Sequence, residues 1–287
     1  MTVPTFTLRD GNQIPSFGFG VFQIPADGST KVAVAKALEL GYRHIDTATA
    51  YFNEAEVGAA IQESGIPREE IWVTTKLWLQ DYAYEDAKKG IDTSLTKLGL
   101  DYVDLMLLHQ PYGEVEQAWQ ALEEAQAAGK IKSIGVSNMT PKIYQKFVPN
   151  FKTKPVVNQV EFNPYFQQEE LRQTMLEDGV VIEAWAPLGQ GNADLFQEPV
   201  LQEIAERHHK NVGQVILRFE HQLGIIVFPK STHNERIKSN IDIFDFALSN
   251  VEMDAIKALD KGKGSHDPDA PGVGEWLLNA FDVHAND

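Results

Sequence analysis

Four residues in the first half of the sequence could together transfer a proton: Asp46, Tyr51, Lys76 and His109. A phenol has a pKa of ~10, so it is a poor proton donor at neutral pH unless a cation stabilises its phenolate. Lys76 could be that cation, Asp46 could hold the ammonium in place, and His109 could orient a substrate oxygen. The set suits proton donation to a carbonyl oxygen while hydride reaches the carbonyl carbon from another source.

Side chains do not supply hydride, so this chemistry implies a nicotinamide cofactor. Ser137, Asn138 and Gln159 carry hydroxyl and amide groups that could bind the nicotinamide carboxamide. Trp185 has a flat face on which the nicotinamide ring could stack, although a Trp in a barrel could equally serve packing alone.

Two later segments could bind the phosphates of such a cofactor. The sequence APLGQG (186–191) is long and glycine-bearing, as a loop that crosses a pyrophosphate should be. Lys230, Ser231 and Arg236 form a local positive cluster in an acidic chain, and such a cluster suits a ribose 2′-phosphate. The two cations could also be ordinary solvated surface charges.

The four candidate proton-transfer residues each have a simpler explanation as well. An Asp after a strand often caps a helix, and a Tyr can be a packed aromatic with a solvated hydroxyl. Lys76 could extend along an apolar wall that includes Trp78, and His109 could be a hydrogen-bonded structural imidazole. Their occurrence together, each after a predicted strand, favours a site.

These residues follow short apolar, β-branched runs that predict buried parallel strands. Eight such runs occur, at 17–21, 42–45, 71–75, 102–108, 133–136, 156–160, 180–185 and 225–228. Amphipathic helical segments lie between them, at 29–40, 54–64, 84–98, 115–128, 141–147 and 168–177, with a pair at 198–209 and 212–223. Eight strand–helix units in series predict an α/β fold, a closed (β/α)8 TIM barrel. Active sites of such barrels form at the C-terminal ends of the strands, so the candidate residues would converge on one mouth.

The two ends of the chain lie outside these repeating units. A β-hairpin that turns at Asp10-Gly11 precedes the first barrel strand, and we expect it to cover the bottom of the barrel. After about residue 261 the sequence predicts a loop-like tail with an apolar cluster near its end, formed by Trp276, Leu277, Leu278 and Phe281. No linker or shift in composition marks a second domain, so we expect residues 1–287 to form one domain.

Composition excludes several classes of protein. The 287 residues include 41 acidic and 25 basic side chains, a net charge of −16, which is the wrong sign for a nucleic-acid-binding protein. The absence of cysteine excludes disulfides, thiolate nucleophiles and thiolate metal sites. The adjacent His208 and His209 point to different sides of a helix, so no metal is predicted.

The N-terminus does not resemble a signal peptide and no apolar run could span a membrane. We therefore expect a cytoplasmic monomer.

Seven sequence blocks resemble, in order, the aldo-keto reductase family. They are GYRHIDTATAYFNEAEVG (41–58), TTKLW (74–78), LLHQP (107–111), IGVSN (134–138), NQVEFNP (158–164), EAWAPLGQG (183–191) and FPKSTHNERIKSN (228–240). The similarity runs from about Val3 to Asp260. It is greatest to the bacterial branch that includes the 2,5-diketo-D-gluconate reductases.

The resemblance implies specific roles for residues of this chain. The catalytic tetrad would be Asp46, Tyr51, Lys76 and His109, with Tyr51 as the proton donor. NADPH would lie extended across the barrel mouth, held by Ser137, Asn138, Gln159, Trp185, Leu188, Gly189, Gln190, Lys230, Ser231, Thr232, Arg236 and Asn240. The substrate pocket would be walled by Phe22, Trp78 and Gln110.

Four positions depart from the family pattern. Phe52 replaces the Gly that usually follows the catalytic Tyr, and Gln110 replaces the Trp that commonly follows the His. Met139 replaces an aromatic residue or His, and Ser239 replaces a Glu that often reaches the adenine amine. A polar pocket wall could accept hydroxylated or anionic compounds, and the loss of the Glu would weaken the contact with adenine.

The expected function is NADPH-dependent reduction of an aldehyde or ketone, a small-molecule carbonyl substrate. An alternative is a cofactor-binding regulatory subunit with the same fold and little turnover. A third interpretation is a barrel hydrolase that uses Glu161 and Glu183, although Glu183 falls inside the seventh strand and a retaining pair requires carboxyl groups about 5–5.5 Å apart. Relatives close their substrate pockets with the C-terminal segment, and Trp276 or Phe281 could do so here.

Overall fold

Eight parallel strands form one sheet and pair in the order of the sequence in the computed structural model, which describes residues 3–285. After two hairpin strands, β1 (Thr5–Thr7) and β2 (Gln13–Pro15), the barrel strands are β3 (Phe19–Gly20), β4 (His44–Asp46), β5 (Trp72–Leu77), β6 (Val103–Leu108), β7 (Ile131–Ser137), β8 (Val157–Glu161), β9 (Val181–Trp185) and β10 (Ile226–Val227). A parallel bridge between Phe17 and Val227 joins the first and last strands. The predicted (β/α)8 TIM barrel is confirmed.

The barrel closes at the seam where β3 meets β10. Pairing at this seam is irregular, so the first strand is shorter than the predicted run 17–21. At this seam the Gly18 amide donates to the Val227 carbonyl oxygen at 3.0 Å, outside the regular ladder. A Cβ at Gly18 would lie 2.4 Å from a ring carbon of Phe228, so only glycine allows the two strands to approach this closely. The barrel therefore closes around a tightly packed aromatic ring.

Twelve α-helices are present in residues 3–285. They are α1 (Ser29–Glu39), α2 (Glu54–Glu63), α3 (Tyr84–Leu98), α4 (Val115–Ala127), α5 (Pro141–Phe147), α6 (Glu169–Asp178), α7 (Ala193–Phe196), α8 (Pro199–His208), α9 (Val212–Gln222), α10 (Asn234–Ile241), α11 (Asn250–Lys257) and α12 (Val273–Ala280). The eight predicted helices agree with α1–α6, α8 and α9 to within one residue at each end. Within the same residues, no helix has the length and apolar character needed to cross a membrane.

Local sequence signals explain where these helices start and stop. Asn211 and Gln214 form a reciprocal capping box at the start of α9, and Ser249 and Glu252 form another at the start of α11. Gly99 ends α3 with a left-handed conformation, φ 64°, which costs glycine little. Caps of this kind satisfy the unpaired backbone groups at helix ends, so they fix the boundaries that the apolar spacing alone leaves open.

The prediction of a loop-like C-terminal tail is wrong for part of that segment, because residues 273–280 form α12. The helix follows a stretch rich in Gly, Pro and Asp, which is why the sequence reads as a loop there. Leu277 is buried against the barrel, whereas Trp276 is 64% exposed. Docking of one apolar side therefore stabilises a helix too short to form by propensity alone. The helices α7, α10 and α11 were likewise not predicted.

The N-terminal hairpin lies at the bottom of the barrel, as expected. Its strands β1 and β2 pair in antiparallel register, and Leu8 and Ile14 pack in a buried cluster with Trp72 and Leu105. The Ser133 hydroxyl near the start of β7 donates to Asp10 Oδ2 at 2.7 Å. The opposite mouth, where the strands end, is thus left open for the candidate site.

Candidate active site

Three neighbouring strands bring the four tetrad residues together at the C-terminal mouth. Asp46 ends β4, Lys76 is the second-last residue of β5, and His109 directly follows β6. Tyr51 ends a short 3₁₀ helix, Thr49–Tyr51, that follows β4. Because parallel strands β4, β5 and β6 are adjacent, their C-terminal ends meet at one place.

The Lys76 ammonium is the centre of this group and is fully buried. Its Nζ lies 2.7 Å from Asp46 Oδ1, 2.9 Å from the Thr47 carbonyl oxygen and 3.3 Å from the Tyr51 hydroxyl oxygen. An ammonium has three hydrogens, so these three oxygens use all of its donors. The sequence-based expectation of an Asp–Lys–Tyr arrangement therefore matches the geometry.

The charges in this group decide which protons are present at neutral pH. Burial alone would lower the pKa of Lys76, but Asp46 and Tyr51 outweigh it and the pKa is raised, so the ammonium stays charged. Burial raises the pKa of Tyr51, and the charge of Lys76 opposes that rise. Lys76 lowers the pKa of Tyr51, as expected, but burial raises it by more. The phenol therefore keeps its proton.

His109 is neutral at physiological pH, because burial and the charge of Lys76 hold its pKa well below the usual value. Its ring lies edge-on to Tyr51, with centroids 5.5 Å apart, and edge-on to Trp78, with centroids 5.0 Å apart. Among the described residues its Nδ1 has no hydrogen-bond partner. A neutral imidazole beside a phenol can hydrogen-bond a substrate oxygen without competing for the phenol proton.

Gln159 connects this group to a fifth residue, Glu183, which the sequence reading considered only as a possible hydrolase carboxylate. Gln159 Nε2 donates to Asp46 Oδ2 and to Glu183 Oε2, both at 2.9 Å. Burial and the charge of Asp46 raise the pKa of Glu183 to about 8. Successive side chains of a strand point to opposite faces, so the sequence alone indicates that Glu183 lies on the same side of β9 as Trp185.

The four proposed nicotinamide contacts are tied to one another and to the tetrad. Asn138 Oδ1 accepts from Trp185 Nε1 at 2.8 Å, while Asn138 Nδ2 donates to the His109 carbonyl oxygen at 3.2 Å. The Ser137 hydroxyl donates to the Gln159 carbonyl oxygen at 2.7 Å. One face of Trp185 stacks on His266, with ring centroids 5.5 Å apart and planes 19° apart. The structure therefore brings these residues together, but the tail already covers one face of Trp185.

The candidate phosphate contacts lie after β9 and β10, in two loops and in helix α10, which carries Arg236 and Asn240. Leu188, Gly189 and Gln190 form a turn in which the last two have positive φ. Ser231 and Asn240 are buried, whereas the side chains of the other three residues are exposed, namely Lys230, Thr232 and Arg236. Neither cation forms an ion pair with any residue in the range 3–285, in contrast to most cations of this acidic chain.

The proposed substrate wall is aromatic on one side and polar on the other. The Phe22 ring lies 4.9 Å from that of Tyr51, and buried Trp78 packs edge-on to Phe281 with centroids 5.3 Å apart. Trp78 Nε1 also donates to the Phe281 carbonyl oxygen at 3.2 Å. Gln110, which directly follows His109, is buried as well. Of the two tail residues considered for pocket closure, Phe281 contacts the wall.

Phe52, which replaces the usual Gly after Tyr51, adopts a left-handed conformation with φ 58°. This explains the Gly in relatives, because a side chain in this region costs conformational energy. The Phe52 side chain is largely exposed. It therefore adds an aromatic surface at the mouth.

The C-terminal tail is fastened to the barrel through Glu161, which ends β8. Its carboxylate accepts from the Ser265 amide at 2.8 Å and from the Ser265 hydroxyl at 2.7 Å. A cleft of about 420 Å³ runs between this part of the tail and the residues Asn138 and Trp185. Since the Glu161 oxygens are engaged by the tail, the hydrolase reading loses its first carboxylate.

The described residues contain no group of three or more His, Asp or Glu side chains that could hold a metal ion. The mouth of this TIM barrel holds a buried phenol, an ammonium and a carboxylate beside a neutral imidazole, and such a set of groups is typical of an enzyme. Comparisons with known proteins agree with this class. The model of the Aldo/keto reductase family matches residues 17–261, and the chain belongs to this family.

Three relatives illustrate the similarity. Glyoxal reductase of Bacillus subtilis is 45% identical over 258 residues, which cover 90% of this chain and 93% of the relative. The crystal structure of an aldo/keto reductase from Brucella melitensis is 48% identical, with a TM-score of 0.87, and the match covers 90% of this chain and 100% of that one. An aldo-keto reductase of Bombyx mori in complex with NADP is 35% identical, with a TM-score of 0.89 and coverage of 96% and 97%.

Proposed function

We propose that this protein reduces an aldehyde or ketone to an alcohol with NADPH, and that Tyr51 donates the proton. The observation that supports this most directly is the contact of Lys76 Nζ with both Asp46 Oδ1 and the Tyr51 hydroxyl. Tyr51 would give its proton to the carbonyl oxygen, and Lys76 would stabilise the phenolate that forms. Neutral His109 would hold the same carbonyl oxygen in place. Nicotinamide, when bound, supplies the hydride for the carbonyl carbon.

The residues present fit an NADP cofactor. Lys230 and Arg236 are exposed cations without ion-pair partners in the described chain, and Ser231 lies between them with a hydroxyl that accepts from the His233 amide. Two exposed cations only six residues apart, without ion-pair partners in the described chain, suit the binding of a phosphate dianion. The NADP-bound Bombyx mori relative supports the same choice of cofactor.

The substrate wall favours small carbonyl compounds with polar substituents. Gln110 brings an amide to a wall that is otherwise aromatic, and its Oε1 lies 3.4 Å from Asn138 Nδ2. The name of the Bacillus subtilis relative, glyoxal reductase, is that of an enzyme for a small dialdehyde. Within the family we propose the bacterial branch that includes the 2,5-diketo-D-gluconate reductases, and a monomeric, cytoplasmic enzyme.

A regulatory subunit with little turnover is the alternative. It requires no proton donor, whereas here the Lys76 donors, Asp46 and the phenol are arranged as a complete set. A steady-state assay with a generic aldehyde separates the two functions. Turnover supports the reductase, and cofactor binding without turnover of any carbonyl compound supports the regulatory subunit.

The central experiment is Tyr51→Phe. The variant keeps the ring but lacks the proton, so kcat should fall about 10²–10⁴-fold, the usual contribution of a positioned acid. Affinity for NADP⁺, measured by isothermal titration calorimetry, should stay unchanged. Tyr84→Phe is the matched control, because the Tyr84 hydroxyl bonds Glu124 on the outside of the barrel. If Tyr51→Phe retains wild-type turnover, the proposed proton donor is wrong.

A further inference from the structure

Glu183 lies inside the barrel, in the middle of β9, and is fully buried. It stands opposite Gln159 of β8 and Ile226 of β10 in the strand register. Its Oε2 accepts from Gln159 Nε2 at 2.9 Å, while its Oε1 has no partner among the described residues. A buried carboxyl group is costly, and a packing role alone would be served better by an apolar side chain.

The carboxyl group of Glu183 is one end of a continuous hydrogen-bonded path to the phenol. Gln159 Nε2 donates to both Glu183 Oε2 and Asp46 Oδ2. Asp46 Oδ1 in turn accepts from Lys76 Nζ, which contacts the Tyr51 hydroxyl. Both oxygens of the Asp46 carboxylate are therefore engaged, one by the ammonium and one by the amide.

This path fixes the orientation of the Gln159 amide. A primary amide has two N–H donors and one oxygen acceptor, and here both donors point to carboxyl oxygens. Gln159 Oε1 accepts no hydrogen bond from the part of the chain that the structure describes. With only Asp46 as a partner, one N–H would stay unbound and the amide could rotate; Glu183 removes that freedom. The amide oxygen is thus kept free for the carboxamide of a bound nicotinamide.

The charges around Glu183 make its protonation state matter. Strand β4 contributes Asp46 and His44, the latter neutral because burial lowers its pKa to about 3, and β5 contributes Lys76. Strand β10 presents only Ile226 and Val227. With Glu183 protonated, Asp46 and Lys76 balance each other. Ionisation of Glu183 would add a negative charge to this buried group, and a negative charge opposes formation of the Tyr51 phenolate.

We propose that Glu183 is a positioning residue of the reductase reaction, which orients Asp46 and Lys76 through Gln159 and must be protonated for full activity. The proposal rests on the proposed function. Because burial raises the pKa of Glu183 to about 8, its proton is present at neutral pH and is lost on the alkaline side. The activity of the wild-type protein should therefore decline as the pH rises through about 8.

The test is Glu183→Gln, which is nearly isosteric and neutral at every pH. Its amide oxygen can still accept from Gln159, so kcat at pH 6.5 should stay within about threefold of wild type. That change is smaller than the change that the loss of a buried hydrogen bond would cause. The alkaline decline of kcat near pH 8 should disappear. Glu220→Gln is the matched control, because Glu220 is also buried with a raised pKa but lies on α9 without contact to the tetrad. This control should keep the wild-type pH profile.

A second measurement does not require turnover. The free energy of unfolding of the wild type should fall relative to Glu183→Gln as the pH rises from about 4.5 to 8. The reason is that a carboxyl group whose folded pKa is raised stabilises the fold below its unfolded pKa of ~4.3 and loses that contribution as the pH approaches the folded pKa. Affinity for NADP⁺, measured by calorimetry, should likewise fall in the wild type as the pH rises toward about 8. In Glu183→Gln it should not depend on pH in this range.

The outcomes separate this proposal from the proposed function. Equal alkaline profiles of kcat and of NADP⁺ affinity in the wild type and Glu183→Gln would overturn the role of Glu183, even if Tyr51→Phe is inactive. If Glu183→Gln does not fold, ¹³C NMR of the glutamate carboxyl groups of the wild type provides the test. A carboxyl resonance that titrates near pH 8, shifts when NADP⁺ binds and persists in Glu220→Gln supports the proposal, and its absence overturns it.

Discussion

The two halves of the barrel mouth differ in how their charges are paired. At the exits of β4, β5 and β6, Lys76 is fully buried and uses all three hydrogens on fixed oxygens. At the exit of β10, Lys230 and Arg236 are exposed and have no ion-pair partner among the described residues. The first half is organised by contacts within the chain, and the second offers exposed cations that are free to pair with a ligand. The contrast agrees with the proposal that the first half carries the chemistry and the second binds the cofactor phosphate.

The largest expected effect comes from breaking the organised half with Lys76→Met. The change leaves Asp46 buried without its cation, which should cost about 3–5 kcal/mol of unfolding free energy. It also removes the charge that stabilises the phenolate, so kcat should fall about 10²–10⁴-fold.

Thermal unfolding and a carbonyl-reduction assay measure the two effects of Lys76→Met. Lys132→Met is the control, since Lys132 pairs with Asp104 at a partly exposed position outside the mouth. A variant that keeps both wild-type stability and wild-type kcat would show that the buried ion pair is not the organising feature.

A smaller effect is expected when the binding half is changed with Arg236→Glu. Charge-assisted hydrogen bonds contribute about 1.5–3 kcal/mol, so KM for NADPH should rise about 10–100-fold. KM for NADH and kcat at saturating NADPH should change little, because neither depends on the 2′-phosphate. Lys152→Glu, which reverses an exposed charge elsewhere, serves as the control. Unchanged selectivity between the two cofactors would place the phosphate at another position.

The smallest effect is expected at the tail that borders both halves. Phe281→Ala removes the edge-on contact with Trp78, and aromatic pairs of this kind contribute about 0.5–1.5 kcal/mol. KM for carbonyl substrates should rise about 2–10-fold, while KM for NADPH stays constant. Trp276→Ala is the matched control, because Trp276 is on the same tail but exposed. Equal effects of both variants would mean that the tail does not shape the substrate pocket.

The barrel and its tetrad could be predicted from the sequence because their signals are local. Each strand is a short apolar run, each helix has its own apolar stripe, and the candidate residues lie at or just after the C-terminal ends of the strands. Asp46, Lys76 and His109 needed only this rule to be placed at one mouth. Tyr51 needed little more, since it follows β4 by five residues.

Features that depend on contacts between distant segments could not be predicted. The position of Glu183 beside Gln159 depends on the register of β8 with β9, and the link to Asp46 crosses the inside of the barrel. The helix α12 forms because Leu277 docks on the barrel, whereas its own sequence follows a loop-like segment. In both cases tertiary packing overrides the local pattern.

The three oxygens that hold Lys76 belong to residues 46, 47 and 51, a single stretch of chain. The proposed acid, Tyr51, and the oxygens that hold its activating cation thus lie on one loop, and Asn53 fixes the shape of that loop through its bonds to the Val21 and Ile24 carbonyl oxygens. The proposed substrate contacts come from other segments, at Phe22, Gln110 and Phe281. Evolution could therefore exchange those segments, and with them the preferred compound, without rebuilding the proton donor.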